Sequence, residues 1–372
     1  MSHRFLLLCL VCCGIATTPT SAQTELTPFR PGSTLEGVNY FLPKTMFEVV
    51  IVAEKSITTP GEFAAYADRY LRLSNVPSQT STSWSLKRID LLPYGMPDST
   101  KAYSIKVKSK TVAPLVSLTD DGILLGINTE VKPDSVPSLP KAVPAPKPVN
   151  GRDYMTKAIL SAGSVAKMAQ LTADEIYDIR DSRNALLRGE ADNTPKDGQQ
   201  LKLMLDGLDK QSFALESLFK GQTLSSTEVF SFDYDPKPAA QADSSTSIPS
   251  RETRSILFRF SKKMGLVDAD DLSGDPYFIT ITPLGTLPSE AEDPAVKRKQ
   301  AKMEKGVWVN QPQRCRITIS SPSQILLTTE LSLAQWGTTT LLSDVLFNKQ
   351  PETRLILHQT TGSVKHLTGP RP

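Results

Sequence analysis

Tyr40–Leu73 reads YFLPKTMFEVVIVAEKSITTPGEFAAYADRYLRL, and this stretch predicts a buried strand followed by an amphipathic helix. Within it, Met46–Ala53 is apolar on both alternating faces at all positions but one. Its β-branched residues and its short length favour a strand that is covered on both sides. Thr59 and Glu62 have the spacing of a capping box, with Pro60 at the first helical position, so they predict where the helix begins.

The predicted helix has one apolar stripe that includes three aromatic rings. The members of the stripe fall at positions i, i+3, i+4, i+7 and i+8, and they are Phe63, Tyr66, Ala67, Tyr70 and Leu71. Three aromatics on one face could form a ligand box. Packing on the preceding strand is the simpler interpretation, because aromatic side chains dominate the energetics of cores.

The composition is typical of a soluble globular protein. The chain has 372 residues, of which 39% are hydrophobic and 22% charged, with 28 prolines and a formal net charge of +3. This length predicts two domains or one domain with insertions, and the prolines indicate many loops and β-edges. The small net charge, with no cluster of lysine and arginine interleaved with aromatics, argues against a nucleic-acid partner.

The first residues have the pattern of an export signal. Residues 1–22 contain a basic Arg4, an apolar core over residues 5–16 and a small-residue end, so we expect a signal peptide that is cleaved before Gln23. The apolar core is too short for a stable membrane anchor, and no later segment has the length and hydropathy of a transmembrane helix. We therefore expect an exported protein of the periplasm or the cell surface.

A lipid anchor is the alternative interpretation of the same segment. Leu10-Val11-Cys12-Cys13 resembles a lipobox in which Cys13 would be acylated, which would make the protein an outer-membrane lipoprotein. The residue before a lipidated cysteine is usually Gly, Ala or Ser, whereas this chain has Cys12. The free, exported form is therefore favoured.

Only Cys315 lies beyond the predicted signal, so the mature chain cannot form an internal disulfide. Within Arg314–Ile319 the cysteine shares one face of a predicted strand with Ile317 and Ile319. This pattern favours a buried, unreactive thiol.

The pattern of apolar residues predicts an α+β fold that is mostly β. We divide the chain into a signal peptide at 1–22, an N-terminal α+β domain at 23–131, a proline-rich linker at 132–150, a helical hairpin at 151–221 and a C-terminal β-rich, sandwich-like domain at 222–372. The linker is expected to be an extended spacer or an arm that lies along the surface. In the N-terminal domain, Asp121-Gly122 predicts the turn of a short β-hairpin.

Two amphipathic helices define the helical segment. Thr172 and Glu175 have capping-box spacing, and Gly189 is a C-terminal signal for the first helix. Apolar residues then recur at helical spacing from Leu201 until Gly221, which predicts an antiparallel αα-hairpin with a solvated outer face. Beyond it, short alternating strands between Pro and Gly turns predict the sandwich-like arrangement.

The sequence contains no recognisable catalytic constellation. Only His358 and His366 lie beyond the signal, and His358 is predicted on the face of a strand. A nucleophile–base pair of Cys315 and His358 would require the fold to bring them together. There is no serine elbow, no zinc-binding spacing and no phosphate-binding glycine loop.

The acidic segment Asp268–Asp275 resembles a calcium-binding loop only in part. Position 5 of the loop is Leu272, the glycine comes one position late, and position 12 is Ile279. An acidic surface turn is the better interpretation. We therefore predict no catalytic residue, no cofactor-binding residue and no metal site.

Several separated motifs carry a family resemblance. They are YFLPKTMFEVVIVAEKSITTPGEFAAYADRYL, LTDDGILLGIN, RDSRNALLRGEADNTPKDGQQLKLMLDGLDKQ, AQWGTTTLLSDVLFN and TGSVKHL. In this order they resemble a family of exported Bacteroidetes proteins, domain of unknown function 4831, over about Tyr40–Leu367. The resemblance implies an envelope or secreted protein and assigns no reaction. The family tail more often has an Asp-Pro-x-Thr-Gly turn where this chain has His358–Gly362, which weakens any essential role for an acid there.

The sequence therefore favours a non-catalytic binding or structural module whose partner is an envelope protein or a glycan. The alternative is an envelope hydrolase that acts on glycan or peptide through a carboxylate pair that the sequence does not identify. An assembly factor for other envelope proteins would have the same sequence features.

Overall fold

The structure is a computed structural model that describes residues 25–28, 38–106, 115–135, 137–192, 195, 197–238, 253–285, 306–343 and 353–368. The predicted signal peptide and Cys13 lie outside the described residues. The predicted α+β, mostly β fold is confirmed, because strands predominate over helices and pair antiparallel in three sheets.

The described residues form thirteen strands. In chain order they are β1 Glu25–Pro28, β2 Val38–Thr59, β3 Ser81–Lys106, β4 Val116–Leu118, β5 Leu124–Ile127, β6 Gln222–Tyr234, β7 Thr253–Ser261, β8 Gly265–Val267, β9 Asp275–Pro283, β10 Gly306–Ser320, β11 Ile325–Ser343, β12 Arg354–Leu357 and β13 Val364–Thr368. The first sheet has the order β1-β3-β2-β6, the second β11-β10-β9-β7-β8 and the third β13-β12-β5-β4.

The main core lies between the first and second sheets, as in a sandwich. One face of β2 presents Phe47, Val49, Ile51 and Ala53, all fully buried, because alternate residues of a strand point to the same side. Their cross-strand partners extend the same rows, so that Ile51 lies between Ile89 of β3 and Phe230 of β6. The second sheet contributes Phe258, Phe260, Ile279, Ile281, Cys315, Ile317 and Ile319.

The long strands β2 and β10 each take part in two cores. The first residues of β2, Tyr40 and Leu42, pack with Val307 and Val309 of β10 and with the third sheet. The Tyr40 hydroxyl accepts a hydrogen bond of 3.0 Å from the backbone N–H of Trp308. The β-hairpin predicted at Asp121-Gly122 is confirmed, since β4 and β5 pair antiparallel on either side of it.

Strands from both β-containing parts of the chain share sheets. β6 pairs with β2 along its whole length, and β12 pairs with β5. The division of the chain into separate domains stays a prediction, but the two parts are joined directly by strand pairing.

A buried polar junction fixes the third sheet to the other two. The Asn310 amide donates to the carbonyl oxygens of Pro43, at 2.9 Å, and Thr361, at 2.8 Å. The Thr45 hydroxyl donates to the Thr360 carbonyl oxygen, at 3.1 Å, and Gly362 lies so close that an added Cβ would be 2.6 Å from the Pro43 ring. The turn at Thr360–Gly362 therefore has a structural role, because its carbonyl oxygens accept hydrogen bonds from the buried side chains of Thr45 and Asn310.

Four α-helices lie within the described residues: α1 Ala67–Leu71, α2 Lys157–Leu160, α3 Val165–Arg188 and α4 Gly198–Lys220. Short 3-10 helices precede α1, at Ala64–Tyr66, and α2, at Gly151–Tyr154. The predicted hairpin is confirmed, because the ion pairs Arg180–Glu216 and Arg183–Asp209 join α3 to α4 in antiparallel register.

Both predicted capping boxes are wrong. Thr59 is the last residue of β2, and Glu62 pairs with Arg152 instead of capping the helix. Thr172 lies inside α3, fully buried, and donates a hydrogen bond of 2.8 Å to the Met168 carbonyl oxygen. The actual cap is Ser164, two turns earlier, whose hydroxyl accepts from the Lys167 N–H. The predicted ends at Gly189 and Gly221 are confirmed.

The proline-rich segment lies as an arm along the outer edge of β6. Val143 and Thr227 exchange two backbone hydrogen bonds of 2.9 and 2.8 Å. The Gln222 side-chain amide then pairs with both backbone polar groups of Val149. Over these residues the segment is a surface arm, as one of the two predictions stated.

Candidate functional site

The two long helices separate around a cleft at the loop end of the hairpin, with a volume of about 810 Å³. We call it the tip cleft. It is lined by Ser182, Ala185 and Leu186 of α3, by the following residues Glu190, Ala191 and Asp192, and by Met204, Gly207, Leu208 and Gln211 of α4. Most of these side chains are apolar or small, so the cleft can bury apolar surface of a ligand.

The amphipathic pattern explains why α3 and α4 pack at their base. There, residues such as Ile176, Ile179, Leu215 and Phe219 form a buried core with α1 and with the 3-10 segments. Toward the tip the buried stripe thins to Leu186, which is 6% exposed, and Leu208, which is half-buried. The hairpin is therefore closed at its base and open at its tip.

Gly207 opens the floor of the tip cleft. An added Cβ there would have no other heavy atom within 4 Å, so the space beside the backbone is empty. Glycine inside a helix lowers stability by about 0.8–1.0 kcal/mol relative to alanine. Neither packing nor backbone conformation requires glycine at this position. The structural effect of the missing side chain is that the space in the cleft beside residue 207 stays open.

The ion pairs between the helices lie on the flank that faces away from the cleft. Arg180 donates to Glu216 at 2.6 Å and Arg183 to Asp209 at 2.7 Å. At 100° per residue, Asp209 projects about 160° away from Gly207 around the axis of α4. Burial raises the pKa of Glu216, but hydrogen bonds from Lys220 and Arg180 outweigh it, so the pKa of this carboxyl lies below its usual range. These pairs hold the helices together and leave the cleft side free.

Exposed apolar side chains lie at the α4 side of the tip cleft. The lining residue Met204 is 43% exposed, and its neighbour in the helix, Leu203, is 74% exposed. A single exposed leucine is ordinary, whereas a group of them beside an apolar cleft marks an interaction surface. The rim also carries two carboxylates, Glu190 and Asp192, and none of the described lining residues is a lysine or an arginine.

The structure does not bring Cys315 and His358 together. Cys315 is fully buried in the sandwich core, its thiol points to the Gln313 carbonyl oxygen, and burial raises the pKa of the thiol to about 12. His358 is exposed and follows β12, and His366 is exposed on β13. The prediction of a buried cysteine is confirmed, and the two groups cannot act as a nucleophile and its base.

The acidic segment Asp268–Asp275 forms a turn that is held by hydrogen bonds within the protein. The Asp271 carboxylate accepts from the Ser273 N–H at 2.8 Å, and this contact lowers the pKa of Asp271. The Arg259 guanidinium donates to the carbonyl oxygens of Ala269 and Gly274. Within the described ranges no group of three or more His, Cys, Asp or Glu has the arrangement of a metal site.

One pair of carboxylates becomes adjacent only through the fold. Glu48 of β2 and Asp233 of β6 are direct cross-strand partners, and the Tyr94 hydroxyl bonds to Asp233. Burial, followed by this hydrogen bond, raises the pKa of Tyr94 to about 12. The neighbouring Asp235 forms an ion pair of 2.7 Å with Lys44. The pair occupies the face of the first sheet that points away from the sandwich core.

Comparison with known proteins identifies the family. Residues 36–365 match the family described as "Domain of unknown function (DUF4831)", so the chain belongs to this family, as the sequence motifs indicated. No curated protein and no solved structure matches the chain.

In the part of the chain that the structure describes, no helix has both the length and the hydropathy needed to cross a bilayer.

The sequence predicted the hairpin but not its cleft. Leu186, Met204 and Leu208 were visible only as members of an apolar stripe, and a stripe does not show which of its residues remain uncovered. The one available signal was Gly207, because glycine in the middle of a strongly helical stretch often has a packing or functional reason.

Proposed function

We propose that this protein is a non-catalytic interaction module of the cell envelope that binds its partner through the tip cleft. The observation that carries the proposal is the apolar cleft at the free end of a hairpin whose base is firmly packed. Such a rigid base positions the cleft, and the exposed side chains of Leu203 and Met204 enlarge the surface that a partner can bury.

A matched pair of crosslinking variants tests the proposal. A photoreactive benzoylphenylalanine replaces either Gln211, which lines the cleft, or Gln199, which is exposed on the same helix outside it. After irradiation in the native envelope fraction, we expect one discrete adduct from position 211, none from position 199, and loss of the adduct when Gly207→Phe fills the cleft. Equal labelling from both positions, or an adduct that survives Gly207→Phe, would refute the cleft as the binding site.

Export forms part of the proposal and rests on the pattern of residues 1–22. The intact mass of the protein from its native source distinguishes the possibilities. A chain that begins at Gln23 supports a free periplasmic or secreted protein, and a chain that begins at an acylated Cys13 supports a surface lipoprotein.

A hydrolase acting on glycan or peptide is the second candidate, and the cross-strand register of Glu48 and Asp233 favours it. Glycoside hydrolases use a pair of carboxylates that flank the scissile bond, and this register places two such residues side by side on one face of the sheet. Turnover of envelope glycan or peptide that is lost in Glu48→Gln and in Asp233→Asn would favour the hydrolase. Turnover that is retained in both variants, or that is absent from the wild type, would exclude this pair.

A further inference from the structure

One stripe of α4 is covered at the base of the hairpin and open at the tip. Met204, Gly207, Gln211, Ala214 and Leu218 follow one another at spacings of three and four residues, so they lie on one side of the helix. The last two are buried, whereas Met204 is 43% exposed. The tip cleft therefore exposes one half of this stripe of α4, whereas the other half is buried by the rest of the protein.

The chain itself fills the base half with a short helical segment. The 3-10 helix Gly151–Tyr154 lies on Ala214 and Leu218, and an added Cβ at Gly151 would be 2.5 Å from the Ala214 carbonyl oxygen. The apolar side chain of Met155 follows directly and joins the hairpin core. A short helical segment that approaches α4 closely and inserts apolar side chains is thus the kind of structure that this stripe accommodates.

The cleft has a length that suits such a segment. Met204 and Gln211 are seven residues apart, which corresponds to about 10 Å along α4, or roughly two turns of a bound helix. A volume of about 810 Å³ can accept several side chains at once. The apolar floor and the polar ends then resemble a helix-binding groove.

The negative charge at the rim of the tip cleft favours a positively charged occupant. Glu190 and Asp192 are exposed lining residues, and the Glu190 carboxylate lies 3.7 Å from the guanidinium of Arg188, which is itself exposed. An exposed pair of this kind contributes little and is easily exchanged. A basic residue of the occupant would complement both carboxylates.

We propose that the tip cleft receives a short amphipathic helical segment of a partner polypeptide, with apolar side chains on the cleft floor and basic residues at the Glu190–Asp192 rim. The inference rests on the proposed function, because it names the class of partner for the same site. It differs from that function in its test, since the crosslinking experiment would succeed for a partner of any chemistry.

Three peptides of about 14 residues serve as probes, because isolated helices of that length are marginal and fold on binding. The first is an amphipathic helix of leucine, alanine and lysine. The second has glutamate in place of lysine, and the third contains the residues of the first in a scrambled order without an apolar face. Fluorescence anisotropy with the full chain measures their affinities.

The lysine peptide is expected to bind at least about threefold more tightly than the glutamate peptide, and the scrambled peptide to bind weakly. Gly207→Phe should weaken the lysine peptide by about tenfold or more, with Gly207→Leu as a second variant if the larger side chain disturbs the hairpin. Gln199→Phe adds the same side chain outside the cleft and should leave the affinity unchanged. Glu190→Lys combined with Asp192→Lys should reverse the preference for charge.

Equal affinity for the lysine and scrambled peptides, equal affinity for both charges, or an unchanged affinity in both Gly207 variants would overturn the inference. So would an absence of binding by all three peptides. If these peptides fail while position 211 still yields its specific crosslink, only the helical, basic class of partner is wrong. If the crosslink also fails, the proposed function is wrong as well.

Discussion

Replacement of Gly207 by alanine should stabilise α4, although this residue lines the candidate site. The added methyl group would meet no other heavy atom within 4 Å, so it introduces no clash. Alanine is favoured over glycine inside a helix by about 0.8–1.0 kcal/mol, chiefly because glycine has more conformational freedom to lose. We therefore expect the free energy of opening of this part of the hairpin to rise by about 1 kcal/mol.

Amide hydrogen exchange measures this change where it occurs. A rise of about 1 kcal/mol corresponds to roughly fivefold slower exchange of the α4 amides near position 207. Gly61→Ala is the control of opposite sign, because a Cβ at Gly61 would lie 2.3 Å from the Leu218 carbonyl oxygen and force the backbone apart. If Gly207→Ala leaves exchange unchanged or accelerates it, the space beside Gly207 is not empty and the reasoning about the cleft is wrong.

Three further predictions concern the parts that hold the fold together. Asn310→Ala removes hydrogen bonds to two buried carbonyl oxygens, so urea denaturation should show a loss of about 2–4 kcal/mol. The depressed pKa of Glu216 means that its ion pairs stabilise the hairpin above the ordinary carboxyl pKa of about 4.3 and are lost as the pH falls through the lower, folded value. Thermal melts from pH 6 to pH 3 should therefore show a smaller acid-induced loss for Glu216→Gln than for the wild type. Iodoacetamide should leave the peptide that contains Cys315 unmodified in the native protein and alkylate it fully in denaturant, because the thiol is buried.

Each of these predictions has a contrary result. If Asn310→Ala lowers the free energy of unfolding by less than about 0.5 kcal/mol, the hydrogen bonds of Asn310 at this junction do not stabilise the fold. If the melting temperatures of the wild type and Glu216→Gln fall equally between pH 6 and pH 3, the ion pairs of Glu216 do not stabilise the hairpin. Rapid native alkylation of Cys315 would show that the sandwich core opens.

The extent of β2 shows what a single sequence can and cannot predict. The apolar run Met46–Ala53 correctly indicated a buried strand, but β2 continues to Thr59 through polar residues. Those residues extend the strand by cross-strand pairing, for example between the hydroxyls of Ser56 and Ser225 at 2.8 Å. Because Ser225 is far away in the chain, no local pattern around Ser56 contains this information, and Thr59 is consequently a strand residue instead of a helix cap.

The candidate site has the same dependence on distant packing. Helical spacing and the terminal glycines were sufficient to predict both long helices, since these signals are local. Whether an apolar stripe is covered depends on another segment, and Gly151–Tyr154 happens to cover only the base half of α4. The adjacency of Glu48 and Asp233 likewise follows from the register of two strands that lie far apart in the sequence.

The most direct test of the cleft as a binding site is hydrogen exchange of the full chain, alone and saturated with the lysine peptide. If the tip cleft is the binding site, exchange should become slower in the segments 182–192 and 201–211 and remain unchanged in β2 and β6 around Glu48 and Asp233. Protection at those two strands, or an unchanged exchange rate at the hairpin tip, would contradict it.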